Sequence, residues 1–482
     1  MRLSELFREV EFDGSIKNDA DINLVTDDSR LVRPGSLFVC IRHRSFDGHT
    51  AALDALASGA TAVVTQDRLG LENELRVADS RSAYARLCAA LCNHPERKLR
   101  MIGVTGTNGK TTVTTLIRNI LSDSGTKTLL TGTVCNRLGD ENLPSGLTTP
   151  KPPELYSLLS RAVSQRCKAC VMEASSQALA QGRLEGIDFD AAVFTNITRD
   201  HLDYHGTFEN YISAKKKLFE HSALSIVNLD DPRANEIIAA SKGKIITFST
   251  VLDCADYTAK NISLLSDCVR FELVSKGHIE HIEFASPGLF SVSNAMAAAV
   301  CAINLGIEPK DAAQSLAKSK SVCGRLERVE CSAPYSVIID YAHTPDGLEQ
   351  VLRALRPSCR GKLIVLFGCG GDRDRTKRPL MGAAACKYAD KIIVTSDNPR
   401  TEDPEAIIAD ILPGLKETHT PYVVRPDRRE AIAYAIENHC PGDVIILCGK
   451  GHEDYQIIGK TKVHMDEREI VAEILEKRKR EK

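Results

Sequence analysis

Residues 103–113 read GVTGTNGKTTV, and an apolar run, RMIGV at 100–104, leads straight into them. A short buried strand that breaks into glycines and then into the helical pattern TTVTTLIRNILSDSG leaves few folds open. Gly106 and Gly109 permit a tight loop whose backbone N–H groups converge at a helix N-terminus, where they can cradle phosphate oxygens. Thr107, Asn108 and Thr112 complete that loop, Lys110 can reach terminal phosphates, and the Thr111 hydroxyl can hold Mg²⁺. The usual spacing places a glycine six residues before the lysine; here that position is Val104, and Gly103 lies one residue further back. A ligand-free glycine turn is the competing reading, and Gly-Lys-Thr-Thr at a helix start argues against it. Motors, kinases, GTPases and ligases all use such loops, so the loop alone leaves the function open.

The rest of the chain repeats the same rhythm. ACVMEAS, DAAVFTNI and SIVNLDD are short apolar strands between helical stretches, and CVRFELV and HIEHIEFA read as an antiparallel insert before the helix SVSNAMAAAVCAINLG. Beyond residue 326 come the strands SVIIDYA, KLIVLFGCG, KIIVTSD, PYVVRP and DVIILCGKG, alternating with helices. Such alternation predicts α/β sheets covered on both faces. We expect three domains: a small N-terminal α/β domain (1–97), a central P-loop ATPase-like domain with a mostly parallel sheet (98–325), and a C-terminal Rossmann-like doubly wound domain (326–482). Three C-terminal strands end in FGCGGDRDR, TSDNPR and CGKGHEDY, and ligands of doubly wound sheets sit outside the carboxyl ends of the strands.

Composition narrows the class. Lys plus Arg number 62 against 64 Asp plus Glu, a net of −2, which argues against nucleic acid or an acidic membrane surface as partner. No apolar run reaches the length of a membrane span, about 18 residues or more. MRLSELFREVEFDG lacks an apolar signal core, and 16 scattered cysteines form no disulfide framework, so a cytoplasmic chain with reduced thiols is expected. CKAC at 167–170 has no second pair at metal spacing and reads as buried thiols.

TGTNGKTT, MEASSQALAQGR (172–183) and NITRDHLDYHG (196–206) together resemble the Mur ligase family. AKKKLF, GRLE, DYAHTPDGL, GCGGDRDRTKRPLMG, DNPR and GKGHEDYQ extend the likeness over the whole chain, and the last motifs are similar to those of its diaminopimelate-adding members. The resemblance implies ATP-dependent amide formation in peptidoglycan precursor synthesis. Meso-2,6-diaminopimelate is joined through an acyl phosphate to the D-Glu carboxylate of a UDP-N-acetylmuramoyl-dipeptide. The same reaction with L-lysine, and a P-loop regulatory switch, are the alternatives. Small-molecule substrates and a monomer are expected.

Residue by residue, the resemblance implies that Glu173, His201 and Thr111 hold Mg²⁺, together with Lys215 as a carbamate, whereas Lys216 and Lys217 face solvent. Lys110 and Arg325 would meet ATP phosphates; the family usually has Pro where Cys323 precedes the Gly of GRLE. The UDP-muramoyl-dipeptide falls to Asp27 and Ser29, to Arg44, Ser45 and Phe46 of a second loop, and to Thr148, Thr149, Ser175, Gln181 and Arg183. Diaminopimelate falls to Arg373, Asp397, Asn398, Pro399, Arg400, Gly449 and Glu453. Lysine lacks the second carboxylate of diaminopimelate, so Arg400 carries the discrimination: a desolvated guanidinium left unpaired is costly.

Overall fold

The strand expected ahead of the phosphate loop forms as Arg100–Thr105 and lies inside the largest sheet of the protein. The computed structural model describes residues 1–43, 46–265, 267–319, 321–329, 334–416 and 419–481. Within them this sheet has eleven strands. Its parallel middle runs Lys244–Ser249, Leu224–Asn228, Ala191–Phe194, Arg100–Thr105, Ala169–Glu173, Thr128–Thr131. Every residue of Ala169–Glu173 and Ala191–Phe194 is buried, as strands covered on both faces must be. The antiparallel insert forms as Tyr257–Leu264, Val269–Ser275 and His278–Phe284, and a hairpin of Asn136–Leu138 with Glu141–Leu143 extends the other side.

The helix Lys110–Asp123 buries Val113, Leu116, Ile117, Ile120 and Leu121, one helical stripe, against one face of this sheet. The helix Leu289–Asn304 packs beside it, its run of alanines allowing close approach. On the opposite face a continuous apolar core runs from Leu6, Leu37 and Val39 through Tyr156, Leu159 and Met172 to Phe194 and Phe219. The N-terminal unit, a parallel sheet of Leu24–Thr26, Ser36–Val39, Ala60–Thr65 and Glu74–Arg76, is therefore packed onto the central sheet through shared core.

The C-terminal sheet runs Glu327–Val329, Ser336–Asp340, Val444–Cys448, Leu363–Phe367, Lys391–Val394, Tyr422–Val424. The first strand is antiparallel and the others parallel, with an apolar core on each face. This α/β architecture, a large mostly parallel sheet followed by a doubly wound one, is the one the strand–helix rhythm predicts. The three strands ending in Gly-rich polar motifs are neighbours, so those motifs share one edge. Among the elements not anticipated are the hairpin Tyr455–Ile458 with Thr461–His464 and the terminal helix Glu467–Glu481. No helix among the described residues is long and apolar enough to cross a membrane. Cys167 and Cys170 are buried, and burial pushes both thiols up.

Candidate active site

A cavity of about 430 Å³ lies where the carboxyl ends of Arg100–Thr105 and Ser336–Asp340 face each other. The phosphate loop, Gly106 to Thr112, forms one wall with Glu173, His201 and Lys215; Arg325, Tyr341, His343 and Asp346 form the other. Among the described residues, two side-chain hydrogen bonds cross it. Asn108 Nδ2 donates to Asp346 Oδ2 at 3.0 Å, and Arg325 Nη2 donates to Thr111 Oγ1 at 3.2 Å.

The loop is propped from the next strand. The Asn108 N–H donates to Asn196 Oδ1 at 2.9 Å, Thr195 Oγ1 donates to the Asn108 carbonyl at 2.6 Å, and the Thr107 and Tyr211 hydroxyls meet at 2.9 Å. Gly106 is required because a Cβ there would collide with Thr195 Oγ1. Gly109, the N-cap of Lys110–Asp123, has φ +87°, and its Cβ would strike Asn294 Oδ1.

Two lysines converge on this loop. Lys110 Nζ donates to the carbonyls of Gly106 and Thr107, each at 2.8 Å, and Lys215 Nζ donates to the same Gly106 carbonyl at 2.7 Å. Lys215 is 1% exposed and lies over the Tyr211 ring. Burial, then repulsion from Lys110, pushes its amine well below the ordinary lysine range; burial also lowers Lys110. Lys216 pairs with Glu236 at 2.9 Å at the surface, and Lys217 is exposed.

Glu173 ends its strand fully buried, its carboxylate accepting from the Thr133 N–H at 2.8 Å and the Thr133 hydroxyl at 2.9 Å. His201, in the left-handed region at φ 52°, lies 3.4 Å from Asp200. Although 41% of its side chain reaches the cleft, its depth between the two walls lowers the imidazole to about 4. Among the described residues no three His, Cys, Asp or Glu side chains gather as a ligand cluster.

Thr149, Ser175, Gln181 and Arg183 form one network beside Glu173. The Thr149 hydroxyl donates to the Glu173 carbonyl at 2.6 Å and accepts from the Ser175 N–H at 3.0 Å. Arg183 donates to the Thr149 carbonyl at 2.7 Å and to Gln181 Oε1 at 2.6 and 2.8 Å. Thr148 joins through Thr133 at 3.0 Å. Further out, the Tyr84 hydroxyl donates to Asp27 at 3.1 Å, and Lys151 and His43 each approach Asp27 at 3.6 Å. Ser29 opens a short 3-10 turn, and Phe46 is exposed. Arg44 and Ser45 lie outside the described residues.

The edge of the C-terminal sheet holds the other predicted group. Arg400 has φ 53°, and the unanticipated hairpin fixes it: its N–H donates to the Ile457 carbonyl at 3.0 Å, and Gly459 N–H donates back at 2.7 Å. Arg400 Nη1 donates to the Gly371 carbonyl at 2.7 Å. Burial, then the nearby Arg373, lowers its affinity for a proton. Exposed Arg373 contacts only the Asp372 carbonyl at 3.3 Å among the described residues. Asp397 abuts Gly449, where a Cβ would strike its Oδ2, and buried Pro399 presses against Gly371. Asn398 is spent internally: it donates to Glu453 at 2.9 Å and accepts from Lys450 and the Ile457 N–H, each at 2.9 Å. Lys450, fully buried, also donates to Glu453 at 2.7 Å.

Sequence reading did not single out Asp346, His343, Asp200, Tyr341 or Lys450. Asp346 and His343 stand in DYAHTPDGL, a stretch whose residue types do not tell which of them reach the cavity.

The chain matches "Mur ligase family, catalytic domain" over residues 21–90, "Mur ligase middle domain" over 104–302 and "Mur ligase, glutamate ligase domain" over 324–451. It is 45% identical over 479 residues to a UDP-N-acetylmuramoyl-L-alanyl-D-glutamate--2,6-diaminopimelate ligase of Caldanaerobacter subterraneus subsp. tengcongensis, covering 98% of this chain and 99% of the relative. A protein of the same name from Clostridioides difficile is 43% identical over 462 residues, 95% and 96% of the two chains. A solved structure of such a ligase superposes with a TM-score of 0.72 at 34% identity over 99% of both chains. Mycobacterium tuberculosis folylpolyglutamate synthase shares the fold at a TM-score of 0.64 and 18% identity, over 77% of this chain and 92% of its own.

Proposed function

The chain belongs to the Mur ligase family, and from that premise we propose how its cavity works. The protein joins 2,6-diaminopimelate to UDP-N-acetylmuramoyl-L-alanyl-D-glutamate at the expense of ATP. The observation that carries the site-level reading is the pair of hydrogen bonds across the cavity. Asn108–Asp346 and Thr111–Arg325 bring the phosphate loop within reach of the C-terminal sheet whose edge carries Arg400 and Glu453.

In this reading residues 98–325 bind ATP, 1–97 the UDP end of the acceptor, and 326–482 the amino acid. Lys110 and Arg325 bind the terminal phosphates. Asn108 and the loop N–H groups orient the γ-phosphoryl toward the acceptor carboxylate, which Thr149, Ser175 and Arg183 present. Attack by that carboxylate on the γ-phosphorus breaks the bond to the β-phosphate oxygen, releasing ADP and giving an acyl phosphate. The diaminopimelate amine displaces phosphate through a tetrahedral intermediate, so no covalent enzyme nucleophile is needed. Positioning supplies most of the rate, and positive side chains offset the charge that develops on the phosphates.

Glu173, Thr111 and neutral His201 suit Mg²⁺, which takes few protein oxygens alongside substrate phosphates and water and would neutralise phosphate charge. One buried carboxylate, with no larger ligand cluster among the described residues, fits that habit. Lys215 fits carbamylation: its burial favours the neutral amine that combines with carbon dioxide, and the anion formed would relieve repulsion from Lys110.

At the other end, Arg400 offers N–H groups beyond the one bound to Gly371, aimed by a constrained backbone. They suit the distal carboxylate of diaminopimelate, with Asp397 and Glu453 accepting from its ammonium. Purified protein given ATP, the UDP-muramoyl-dipeptide and a panel of amino acids should yield one product, with the mass of the diaminopimelate adduct. Phosphate release should require both substrates. A lysine adduct, or ATP turnover without acceptor, would overturn the reading.

A further inference from the structure

The terminal helix begins at Glu467, and its first turn carries two ion pairs of different reach. Glu467 is fully buried against Arg428, which also donates to the carbonyls of Ser396 at 3.2 Å and Cys448 at 2.8 Å. That pair holds the strand ends that lead into Asp397 and Gly449. The next residue, Arg468, faces the linker between the two large sheets. Its Nε and Nη2 donate to the two Glu327 oxygens at 2.9 and 2.6 Å. Nη2 also reaches the Gly451 carbonyl at 3.0 Å and Cys323 Sγ at 3.2 Å, and Nη1 donates to Asp466 at 3.2 Å.

Glu327 Oε2 is shared. It also accepts the Gly324 N–H at 2.6 Å, on the residue before Arg325. Gly324 has φ +67° and lies flat on the Gly451–His452 backbone, where a Cβ would collide. From this anchored turn the Arg325 side chain passes over the Tyr341 ring to Thr111 in the phosphate loop. Gly451 belongs to the same short loop as Lys450 and Glu453 at the amino-acid end. One guanidinium therefore grips both the segment that aims Arg325 at the nucleotide and the loop that carries Glu453.

We infer that Arg468 is a positioning residue that couples the Gly449–Glu453 loop to Arg325, so that a filled amino-acid pocket stabilises the nucleotide-binding arrangement; this rests on the function proposed above. The arrangement suits the role: a bidentate guanidinium–carboxylate pair, partly withdrawn from water, fixes orientation as well as distance. Lysine at this position could hold Glu327 or Gly451 but not both in one plane.

The test is a coupling measurement on the full-length protein. Affinity for a non-hydrolysable ATP analogue is measured with the UDP-muramoyl-dipeptide present, with and without diaminopimelate. In the wild type diaminopimelate should tighten the analogue by a factor within the usual allosteric span, about 5 to 150. Arg468→Ala should bring that factor close to one, whatever it does to the affinity without diaminopimelate; Arg468→Lys should fall between. Glu327→Gln, which keeps an acceptor for Gly324 but drops the charge, should repeat the loss and serves if Arg468→Ala does not fold. A strut without coupling would lower the melting temperature and leave the factor intact; that result, or a wild type with no coupling, overturns the inference. If the wild type forms no diaminopimelate adduct, the proposed function falls with it. If it forms the adduct and the variants keep full coupling, only the role of Arg468 falls.

Discussion

Lys215, Lys216 and Lys217 are consecutive and meet three environments, because successive helical residues point about 100° apart. Only Lys215 turns into the phosphate loop, and its sequence context could not distinguish it from its neighbours; the family resemblance did. Its depressed proton affinity has a sign that can be measured. Native Lys215 binds its proton more weakly than the ordinary value of 10.5. Between the lowered value and 10.5 the unfolded chain therefore carries more protons, and stability rises with pH across that window. Denaturant unfolding of the nucleotide-free protein, depleted of carbon dioxide, should show that rise, and Lys215→Met should flatten it. Activity of Lys215→Ala should be low and partly restored by formate; full activity without rescue would dismiss the carbamate. Arg400→Ala removes charged hydrogen bonds worth about 1.5–3 kcal/mol each. We expect at least roughly a tenfold fall in kcat/KM for diaminopimelate, with binding of an ATP analogue unchanged. Unaltered turnover would remove Arg400 from the pocket.

Elements place these residues by backbone constraint. The loop from Gly106 to Gly109 exists because two positions admit no side chain, so Gly106→Ala should abolish binding of an ATP analogue in calorimetry, the extra methyl driving the loop off Thr195. The hairpin Tyr455–Ile458 with Thr461–His464 does for Arg400 what Pro399 does for the turn before it: it removes backbone freedom that binding would otherwise have to freeze. The terminal helix acts through buried charge. Arg428→Ala would leave Glu467 buried without its partner and should destabilise the fold by about 3–5 kcal/mol in denaturant titration. Replacing both residues by apolar ones of similar volume should recover most of that loss. The turn TSDNPR was legible as a strand end, but the use of Asn398 was not. Its amide is satisfied by Lys450, Glu453 and Ile457, all more than 50 positions away, and so it serves as a brace.

The whole molecule is two large sheets facing each other across a cavity, with the N-terminal unit sharing the far core of the first. Asp346 reaches across to Asn108, and Asp346→Lys would remove the acceptor of that bond. We expect a marked rise in KM for ATP with the folding midpoint little changed; an unaltered KM would show that this crossing contact does not hold the nucleotide arrangement. By itself the sequence determined the parallel strand–helix architecture, the phosphate loop with its lysine, and the edge on which Arg400, Asp397 and Glu453 gather. Those features are periodic or local: alternation, glycine spacing and strand-end motifs are written in neighbouring residues. Only the tertiary structure decided which lysine is buried, that Lys450 neutralises Glu453, that Asp346 meets the phosphate loop, and that Arg468 grips Glu327 across 141 positions. Those pairings arise when elements far apart in the chain are packed together, and a charged residue reads the same in sequence whether its partner is water or a carboxylate brought in by the fold.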